Sequence, residues 1–301
     1  MNIQQVKTFV TVVDSGSFSE AARMLGVSQP AVSMQIQTLE ADIGEALLDR
    51  RYRRVDLTEA GSALLPHARH ILADADKARS EIAALSGEVG GTLRLALSTT
   101  PGDYIVPRLL GAFTRSYPKI ELNLSVSSTA GVLEEVEAQR ADIGMVGARI
   151  RGAKADFEEM GADELVAIAH PSSELAAAKK VPISKFVQYP WVQRLADSGT
   201  QQVLKAAFAQ QGIDVDALNA VVKLGTGEAV VSAVEGGLGV AVVSRYVADK
   251  ALQVGAVVEV PVSGFPIPRP FYLVSPRRTL SRAAAAFADF LRDELSGGDG
   301  S

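Results

Sequence analysis

The side chains best suited to chemistry in this sequence are hydroxyls and amides, which bind ligands rather than catalyse reactions. They occur at four predicted strand-to-helix junctions, "STTPGDY", "SSTAGV", "DSGTQQ" and "GTGEAV". Free backbone N–H groups and the positive end of the helix dipole make such junctions favourable for anions. Helix capping by Ser or Thr explains any single junction equally well, so both interpretations stay open for each junction alone.

Groups that would catalyse a reaction or hold a metal are sparse. The 301-residue sequence has no cysteine and three histidines, His67, His70 and His170. His67 and His70 are three residues apart on a predicted helix without a third ligand, so we predict no metal site and no cofactor. There is no G-x-S-x-G motif and no evident acid partner for His170, so we predict that the chain is not an enzyme.

A second group of polar side chains lies on one face of a predicted helix over residues 28–43, in "SGSFSEAARMLGVSQPAVSMQIQTLE". Val32, Ile36, Leu39 and Ile43 follow 4-3-4 spacing and are predicted to form the buried stripe of this helix. A Gln amide can pair with adenine, and hydroxyls can contact bases or phosphates, so the opposite face suits the major groove of DNA. That face carries Ser28, Gln29, Pro30, Ser33, Met34 and Gln37.

The surrounding residues are typical of a helix-turn-helix. Ser17 and Glu20 predict a capping box at the start of a helix that runs through Leu25, and a Gly-Val-Ser bend follows it. An ordinary three-helix bundle with a polar surface is the alternative. The segment "DRRYRRVDLT" then adds basic residues at the distance of a wing, although a run of charges is more often only a solvated surface. These residues are Arg50, Arg51, Arg53 and Arg54.

A long helix follows, capped by Thr58 and predicted to run to about Leu85. Its apolar residues recur every three or four positions from Leu64 onward. A solitary helix cannot cover such a stripe, so we predict a partner helix from a second copy of the chain. The segment "GEVGG" ends the helix and predicts a linker.

From Thr92 onward, short β runs alternate with helices. The runs "TLRLAL", "IELNLSV", "ADIGMVG", "ELVAIAH", "AVVKLG" and "GVAVVS" predict an α/β domain with a largely parallel sheet. The segments "VLEEVEAQRADIGMVG" and "VVSAVEGGLGVAVVS" share a helix-turn-strand design, which predicts two similar lobes. The final strand "FYLVS" and a helix from about Leu280 are predicted to return to the first lobe, giving two crossovers and a hinge.

The segment "FVTVVDSGSFSEAARMLGVSQPAVSMQIQTLEADIGEALLDRRYRRVDLTEAG" closely resembles the winged helix-turn-helix of LysR-type transcriptional regulators. The lobes behind it are similar to that family's effector domain. The resemblance assigns DNA contacts from the recognition helix to Gln29, Pro30 and Ser33. It assigns the wing to Arg50, Arg53 and Arg54, and the start of the dimerising linker helix to Thr58.

The predicted fold is therefore α/β, with an N-terminal all-α winged helix-turn-helix domain, a long linker helix and a two-lobed, periplasmic-binding-protein-like effector domain. The expected bounds are 1–58, 59–90 and 91–295, with a disordered tail at 296–301. Lobe I takes residues 91–164 and 268–295, and lobe II takes residues 165–267.

The resemblance also implies that the four junctions together bind the effector. The family often has Arg where this chain has Gln201, so we expect a compact oxyanion held by hydroxyls and N–H groups without a balancing cation. The segment "STTPGDYIVP" resembles members linked to sulfur or selenium metabolism and sulfite sensing, which makes a small sulfur or selenium oxyanion the expected class. The expected effector-binding residues are Ser98, Thr99, Thr100, Ser127, Ser128, Thr129, Ser198, Thr200, Gln201, Thr226 and Glu228.

The expected function is thus that of a ligand-responsive, DNA-binding transcriptional regulator. Its expected partners are double-stranded promoter DNA, a small anionic effector, further copies in a homodimer or homotetramer, and RNA polymerase. A two-lobed binding protein or enzyme without DNA binding is the alternative. No apolar run approaches the roughly 18 residues that span a bilayer and no signal peptide is evident, so we expect a cytoplasmic protein with no membrane contact.

Overall fold

A computed structural model of the chain describes residues 1–49, 55–83 and 89–296. Contacts group the chain into two compact units. One unit holds residues 1–88 together with Ala138–Arg140, and the other holds the remaining residues. Each unit is built around its own apolar core, so each is described separately below.

The N-terminal unit contains three short helices, a two-stranded hairpin and one long helix. In chain order these elements are α1 (Ile3–Ser15), α2 (Phe18–Leu25), α3 (Gln29–Ile43), β1 (Leu48–Asp49), β2 (Asp56–Leu57) and α4 (Glu59–Ala83). The hairpin strands are antiparallel, with Leu48 opposite Leu57. The buried stripe predicted for α3 is confirmed at Val32, Ile36 and Leu39, which are fully buried in the core that also holds Phe9 of α1. It is wrong at Ile43, the last residue of the helix, which is 38% exposed.

The helix starts differ in part from the predicted caps. The Ser17 side chain accepts a hydrogen bond from the Glu20 N–H at 3.4 Å. The Glu20 carboxylate binds Arg23 instead of returning to the Ser17 backbone, so the predicted capping box is only half formed. A complete capping box lies at the start of α1, between Asn2 and Gln5.

The start of α4 is fixed against the turn before the hairpin. Thr58 Oγ1 accepts a hydrogen bond from the Gly61 N–H at 3.0 Å and donates one to the Ala46 carbonyl at 2.6 Å. A Cβ atom on Gly61 would lie 2.0 Å from the Leu47 carbonyl oxygen, so only glycine permits this close approach. The predicted end of the helix near Leu85 lies outside the described residues.

The second unit is an α/β structure of nine strands and seven helices among its described residues. Its elements are β3 (Gly90–Ser98), α5 (Val106–Ser116), β4 (Lys119–Ser127), α6 (Thr129–Glu137), β5 (Ile143–Val146), β6 (Ala155–Ala169), α7 (Ile183–Phe186), β7 (Trp191–Arg194), α8 (Gly199–Ala209), β8 (Ala220–Leu224), α9 (Gly227–Glu235), β9 (Ala241–Ser244), α10 (Arg245–Gln253), β10 (Val258–Glu259), β11 (Ile267–Pro276) and α11 (Arg282–Ser296). Gly90 and Gly91 begin β3, so this part of the predicted "GEVGG" linker is a strand. Of the predicted tail, 297–301 lies outside the described residues.

The strands form two lobes that share two long strands. Lobe I surrounds β3, β4 and β5, and lobe II surrounds β7, β8 and β9. Strands β6 and β11 form a long antiparallel pair that runs through both lobes. Ala155 lies opposite Pro276 at one end of the pair, and Leu165 lies opposite Ile267 at the other. Strand β5 pairs with β11 on the lobe I side, and β9 pairs with β6 from Leu165 on the lobe II side. The predicted return of the last strand to the first lobe is therefore confirmed.

The prediction of a largely parallel sheet is wrong. Strand β3 is parallel to β4 and β5, and β7 is parallel to β8. The four other strand pairs of this unit are antiparallel, because the chain passes between the lobes in opposite directions along β6 and β11. The repeated helix-turn-strand design is present as α6 followed by β5 in lobe I and α9 followed by β9 in lobe II.

Helices cover the sheet of lobe I, and the last helix closes its core. Phe113 of α5 is fully buried and makes an edge-to-face contact with Phe287 of α11, with ring centroids 4.8 Å apart. The core of lobe II contains Trp191, which packs against Phe186 and Phe208. Trp191 is the only tryptophan of the sequence, so its fluorescence reports on lobe II alone.

Replacing Phe113 by Ala should destabilise the second unit by about 3–5 kcal/mol, because it removes the packing of α5 on α11 and leaves a cavity between the two helices. Since β6 and β11 join the lobes, we expect the urea midpoint of Trp191 fluorescence to fall although Phe113 is in lobe I. Phe113→Leu, which retains most of the volume, should cost about 1.5 kcal/mol. An unchanged Trp191 transition in Phe113→Ala would mean that the lobes unfold independently.

Candidate nucleic-acid interface and ligand cleft

The polar face of α3 is available to a partner in the N-terminal unit. The Ser28 hydroxyl caps the helix by accepting a hydrogen bond from the Ala31 N–H at 3.4 Å, and Pro30 lies in the first turn. Met34 is 64% exposed, and the Gln29 amide donates to the Ser33 hydroxyl at 3.5 Å. Five of the six predicted contact residues are exposed and Ser33 is half-buried; they are Ser28, Gln29, Pro30, Ser33, Met34 and Gln37.

The predicted wing cannot be placed in the same way. Arg50, Arg51, Arg53 and Arg54 lie outside the described residues. The strands on either side of them, β1 and β2, pair as an antiparallel hairpin.

A small polar cleft, with a cavity volume of about 10 Å³, lies between the two lobes of the second unit. It is formed where β3, β4 and β7 end and the following helices begin, as predicted for three of the four junctions. Eight of the predicted effector residues line it, namely Ser98, Thr99, Thr100, Ser127, Ser128, Thr129, Ser198 and Thr200. The cleft also contains Gly147, Gly199 and two arginines that the sequence did not point to, Arg194 and Arg269.

Several hydroxyl oxygens of the cleft accept hydrogen bonds from backbone N–H groups of the protein. Their hydroxyl protons therefore remain available to donate to a ligand. Ser128 accepts from the Gly131 N–H at 3.2 Å, and Ser198 accepts from the Gln201 N–H at 3.1 Å. Thr129 Oγ1 is buried and has no hydrogen-bond partner among the described residues. A buried polar atom without a partner is costly, so these groups favour a ligand that accepts hydrogen bonds.

The lobes approach each other closely beside these hydroxyls. A Cβ atom on Gly199, the first residue of α8 in lobe II, would lie 2.9 Å from Thr129 Oγ1 in lobe I. This closeness restricts the ligand to a compact one, consistent with the small volume of the cleft.

Two guanidinium groups supply positive charge, so the expected absence of a balancing cation is wrong. Arg194, at the end of β7, is 6% exposed and donates from Nη2 to the Gly225 carbonyl at 2.7 Å. Burial lowers the pKa of Arg194, and the charge of Glu228 opposes that shift. Arg194 remains protonated despite its burial, because the ordinary pKa of arginine is above about 12. Position 201 in α8 is Gln rather than Arg, and the arginine of the cleft comes instead from the end of β7.

Arg269 forms the floor of the cleft as part of a buried ion pair. It is 2% exposed and lies directly opposite Asp163 in the β6–β11 ladder. Its Nη2 donates to the Asp163 carboxylate and its Nη1 donates to Thr200 Oγ1 at 2.9 Å. Burial lowers the pKa of Arg269, while the Asp163 charge opposes that shift. Asp163 neutralises this guanidinium, so Arg194 supplies most of the charge that an anion would meet.

Three predicted effector residues lie elsewhere. Gln201 is buried within α8 and does not line the cleft. Thr226 is exposed and caps α9 by accepting from the Ala229 N–H at 3.2 Å. Glu228 accepts a hydrogen bond from the Tyr104 hydroxyl. The fourth junction is therefore a helix cap beside the cleft rather than part of its lining.

Over the ranges that the structure covers, no group of three or more His, Asp or Glu side chains is arranged to hold a metal ion. Within the same ranges, no helix combines the length and apolar character that crossing a bilayer requires.

The chain matches two family models. The bacterial regulatory helix-turn-helix protein model of the lysR family matches residues 3–62, and the LysR substrate binding domain model matches residues 86–296. This chain belongs to the LysR family of DNA-binding transcriptional regulators. The second unit of this LysR-family chain is the family's effector-binding domain, and the interpretation as an enzyme is set aside because the relatives are transcriptional regulators.

Individual relatives cover nearly all of the LysR-family chain. The RuBisCO operon transcriptional regulator of Allochromatium vinosum is 32% identical over 98% of this chain and 97% of its own. The Synechocystis PCC6803 CcmR regulatory domain in complex with 2-PG is 26% identical, covers 69% of this chain and 98% of that domain, and has a TM-score of 0.64. Full-length CbnR complexed with its target DNA has a TM-score of 0.68 over 97% of this chain and 99% of its own; at 24% identity it indicates the fold alone.

Asp163→Asn should destabilise the effector-binding unit by about 3–5 kcal/mol, because it leaves the Arg269 charge buried without a counterion. A matched control is Glu158→Gln. Glu158 lies in β6 like Asp163, and this change breaks its exposed ion pair with Arg292 of α11. That change should cost less than about 1 kcal/mol, because water and salt screen exposed pairs. Urea unfolding followed at Trp191 measures both variants. Equal costs would contradict the structural role assigned to the Arg269–Asp163 pair.

Proposed function

We propose that this LysR-family regulator contacts promoter DNA through the exposed face of α3 and binds a compact anion in the interlobe cleft. The observation that carries the proposal is the cleft itself. It combines helix N-termini, hydroxyls with free protons and the Arg194 guanidinium in one small, polar space. Such a combination suits a small, strongly hydrogen-bonding anion.

The proposed DNA contacts are Ser28, Gln29, Pro30, Ser33, Met34 and Gln37, with Arg50, Arg51, Arg53 and Arg54 at the phosphates. Exposure of the α3 side chains and membership of the family support this assignment. We infer that a winged helix-turn-helix domain takes residues 1–58 and that the linker helix begins at residue 59. The linker bound predicted at residue 90 is too long, because Gly90 belongs to β3.

We infer that the regulator forms at least a dimer through α4. Leu64 and Ala68 pack into the core of the N-terminal unit, but Ile71 is half-buried and Ile82 is 68% exposed, so the later part of the described stripe is partly uncovered. A second copy would bury the stripe and place two reading helices on one operator. RNA polymerase remains a predicted further partner.

The effector-binding domain is assigned to residues 91–295, with lobe I at 91–164 and 268–295 and lobe II at 165–267. Pairing of β9 with β6 from Leu165 supports the boundary inside β6. Occupancy of the cleft would bind the lobes together and so alter their closure. We propose that this closure modulates promoter binding.

The anion remains to be identified among two candidate classes. The CcmR regulatory domain was solved with 2-PG, and that relationship makes 2-PG our first candidate. Sulfur and selenium oxyanions, expected from the "STTPGDYIVP" segment, gain no support from the relatives described above. They are small enough for the cleft and serve as the competing class.

Ser33→Glu should abolish binding to the promoter region upstream of the gene, because a carboxylate on the α3 face would meet the negative potential of DNA. We expect a loss of affinity of at least about 100-fold, since like charges across an interface cost several kcal/mol. Footprinting measures the loss, and sedimentation should give an unchanged oligomeric mass. Ser184→Glu adds the same charge on an exposed residue of α7 and should leave protection intact. Full protection by Ser33→Glu would exclude α3 as the reading helix.

Arg194→Gln should weaken binding of the effector at least about tenfold, because it removes the main positive charge of the cleft. Calorimetric titration of the full chain with 2-PG, sulfite, sulfate, selenite and thiosulfate should reveal at least one ligand with a sub-millimolar Kd. Arg115→Gln, an exposed change on α5, is the matched control and should bind as the wild type does. No binding by any of the five anions would exclude both candidate classes.

A further inference from the structure

One of the hydrogen bonds that link the two lobes lies outside the lining of the cleft, near Arg194. The Tyr104 hydroxyl in lobe I donates to the Glu228 carboxylate in lobe II at 2.5 Å. Burial is the main cause that raises the pKa of Tyr104, and the bond to Glu228 adds to it. Tyr104 therefore acts as a donor and Glu228 as a charged acceptor at this contact.

Tyr104 is held in place by an unusual turn. It belongs to a π-helical turn, Pro101–Ile105, between β3 and α5. The turn lies tightly on β4, because a Cβ atom on Gly102 would come within 2.7 Å of Val126 Cγ2. Short π-helical segments often mark functional positions, since they displace a side chain from its regular helical place. Here the displaced residue reaches the other lobe.

Glu228 lies beside the main positive charge of the cleft. It is in the first turn of α9, one residue after the buried Gly227, and the helix dipole stabilises its carboxylate. Arg194 donates to the carbonyl of Gly225, three residues earlier, at 2.7 Å. The carboxylate is close enough for its charge to raise the pKa of Arg194. Among the described residues, neither a hydrogen bond nor an ion pair joins the two groups, and Arg194 Nε has no partner.

These contacts place two possible anions near one guanidinium. An effector in the cleft would bind Arg194, and so would Glu228 if it left Tyr104. The Glu228 carboxylate is already attached to the protein, so its binding to Arg194 would cost less entropy than the binding of a free anion. It would therefore compete well with the effector for Arg194. In the structure, the carboxylate instead accepts the hydrogen bond from the Tyr104 hydroxyl of lobe I.

We propose that Tyr104 is a positioning residue of the effector cleft, whose hydroxyl holds Glu228 off Arg194 and thereby keeps that guanidinium free for an anionic effector. The proposal rests on the proposed anion binding in the cleft. It assigns the predicted effector residue Glu228 a different role, that of an internal competitor of the ligand.

A double-mutant cycle on the full chain tests the proposal, with the tightest-binding of the five anions as the probe. Glu228→Gln removes the charge but keeps an oxygen that accepts from Tyr104, so anion affinity should rise about three- to tenfold. Tyr104→Phe should lower affinity by a similar factor. In the Glu228→Gln background, Tyr104→Phe should have no effect, because the competing charge is gone. Weaker binding by Glu228→Gln, or an equal loss from Tyr104→Phe in both backgrounds, would overturn the proposal.

Tyr189 and Glu174 provide a matched control, because they form another tyrosine–glutamate hydrogen bond, confined to lobe II and outside the cleft. Tyr189→Phe and Glu174→Gln should leave anion affinity unchanged. A change as large as that at Tyr104 and Glu228 would show a general charge effect and overturn the assignment.

A second measurement does not depend on any anion. Nitrogen-15 NMR of the Arg194 guanidinium, assigned by its loss in Arg194→Lys, reports whether a carboxylate binds it. Tyr104→Phe should slow exchange of the guanidinium protons, and Tyr104→Phe with Glu228→Gln should restore the wild-type rate. Unchanged exchange in Tyr104→Phe would overturn the proposal even if every anion bound. Failure of all anions together with slowed exchange would instead reject the proposed ligand while retaining the role of Tyr104.

Discussion

The effector-binding unit depends on one buried ion pair, Arg269 with Asp163. The two residues face each other in the two long strands that run through both lobes, so the pair joins β6 and β11 at the bottom of the cleft. A charge in this position must be paired, because the surrounding protein cannot solvate it. Asp163 meets that requirement by accepting from Nη2, and Nη1 donates to Thr200 at the start of α8. The Arg269–Asp163 pair thereby fixes three features: strands β6 and β11, the floor of the cleft, and the start of α8 on the lobe II side.

The cleft and the α3 face use the same local device. In each, a Ser or Thr hydroxyl caps a helix and leaves its hydroxyl proton and the neighbouring backbone N–H groups at one end of the helix, as Ser28 does in α3 and Ser198 in α8. Helix N-termini attract negative charge, whether it belongs to a phosphate of DNA or to a small anion. The chain has a net charge of −5, so these helix ends and a few arginines supply local positive potential within an acidic protein.

Local patterns in the sequence predicted local structure well. Most of the α3 stripe, the Thr58 cap and the strand-to-helix junctions followed from spacing and capping chemistry, and the family resemblance joined the junctions into one site. Features that depend on distant residues were not predictable in this way. Arg194 ends a buried strand and Arg269 lies between two prolines in "IPRPF", and neither position has a periodic signal that indicates a cleft. Only the pairing of β6 with β11 brings Arg269 to the site, and the same pairing overturned the parallel sheet. An arginine at the end of "WVQR", four residues before the Ser198 cap, was the one available signal.

The path of the chain through the lobes also affects the order in which the protein can fold. Lobe II is inserted between two parts of lobe I, and β11 and α11 of lobe I come last in the described chain. During synthesis from the N-terminus, α1 to α4 are complete long before Arg269 leaves the ribosome. A nascent chain can therefore form its reading helix while its cleft still lacks a floor. The cleft is thus completed after the N-terminal unit in each new molecule, and shortening the chain from its C-terminal end disrupts the cleft first.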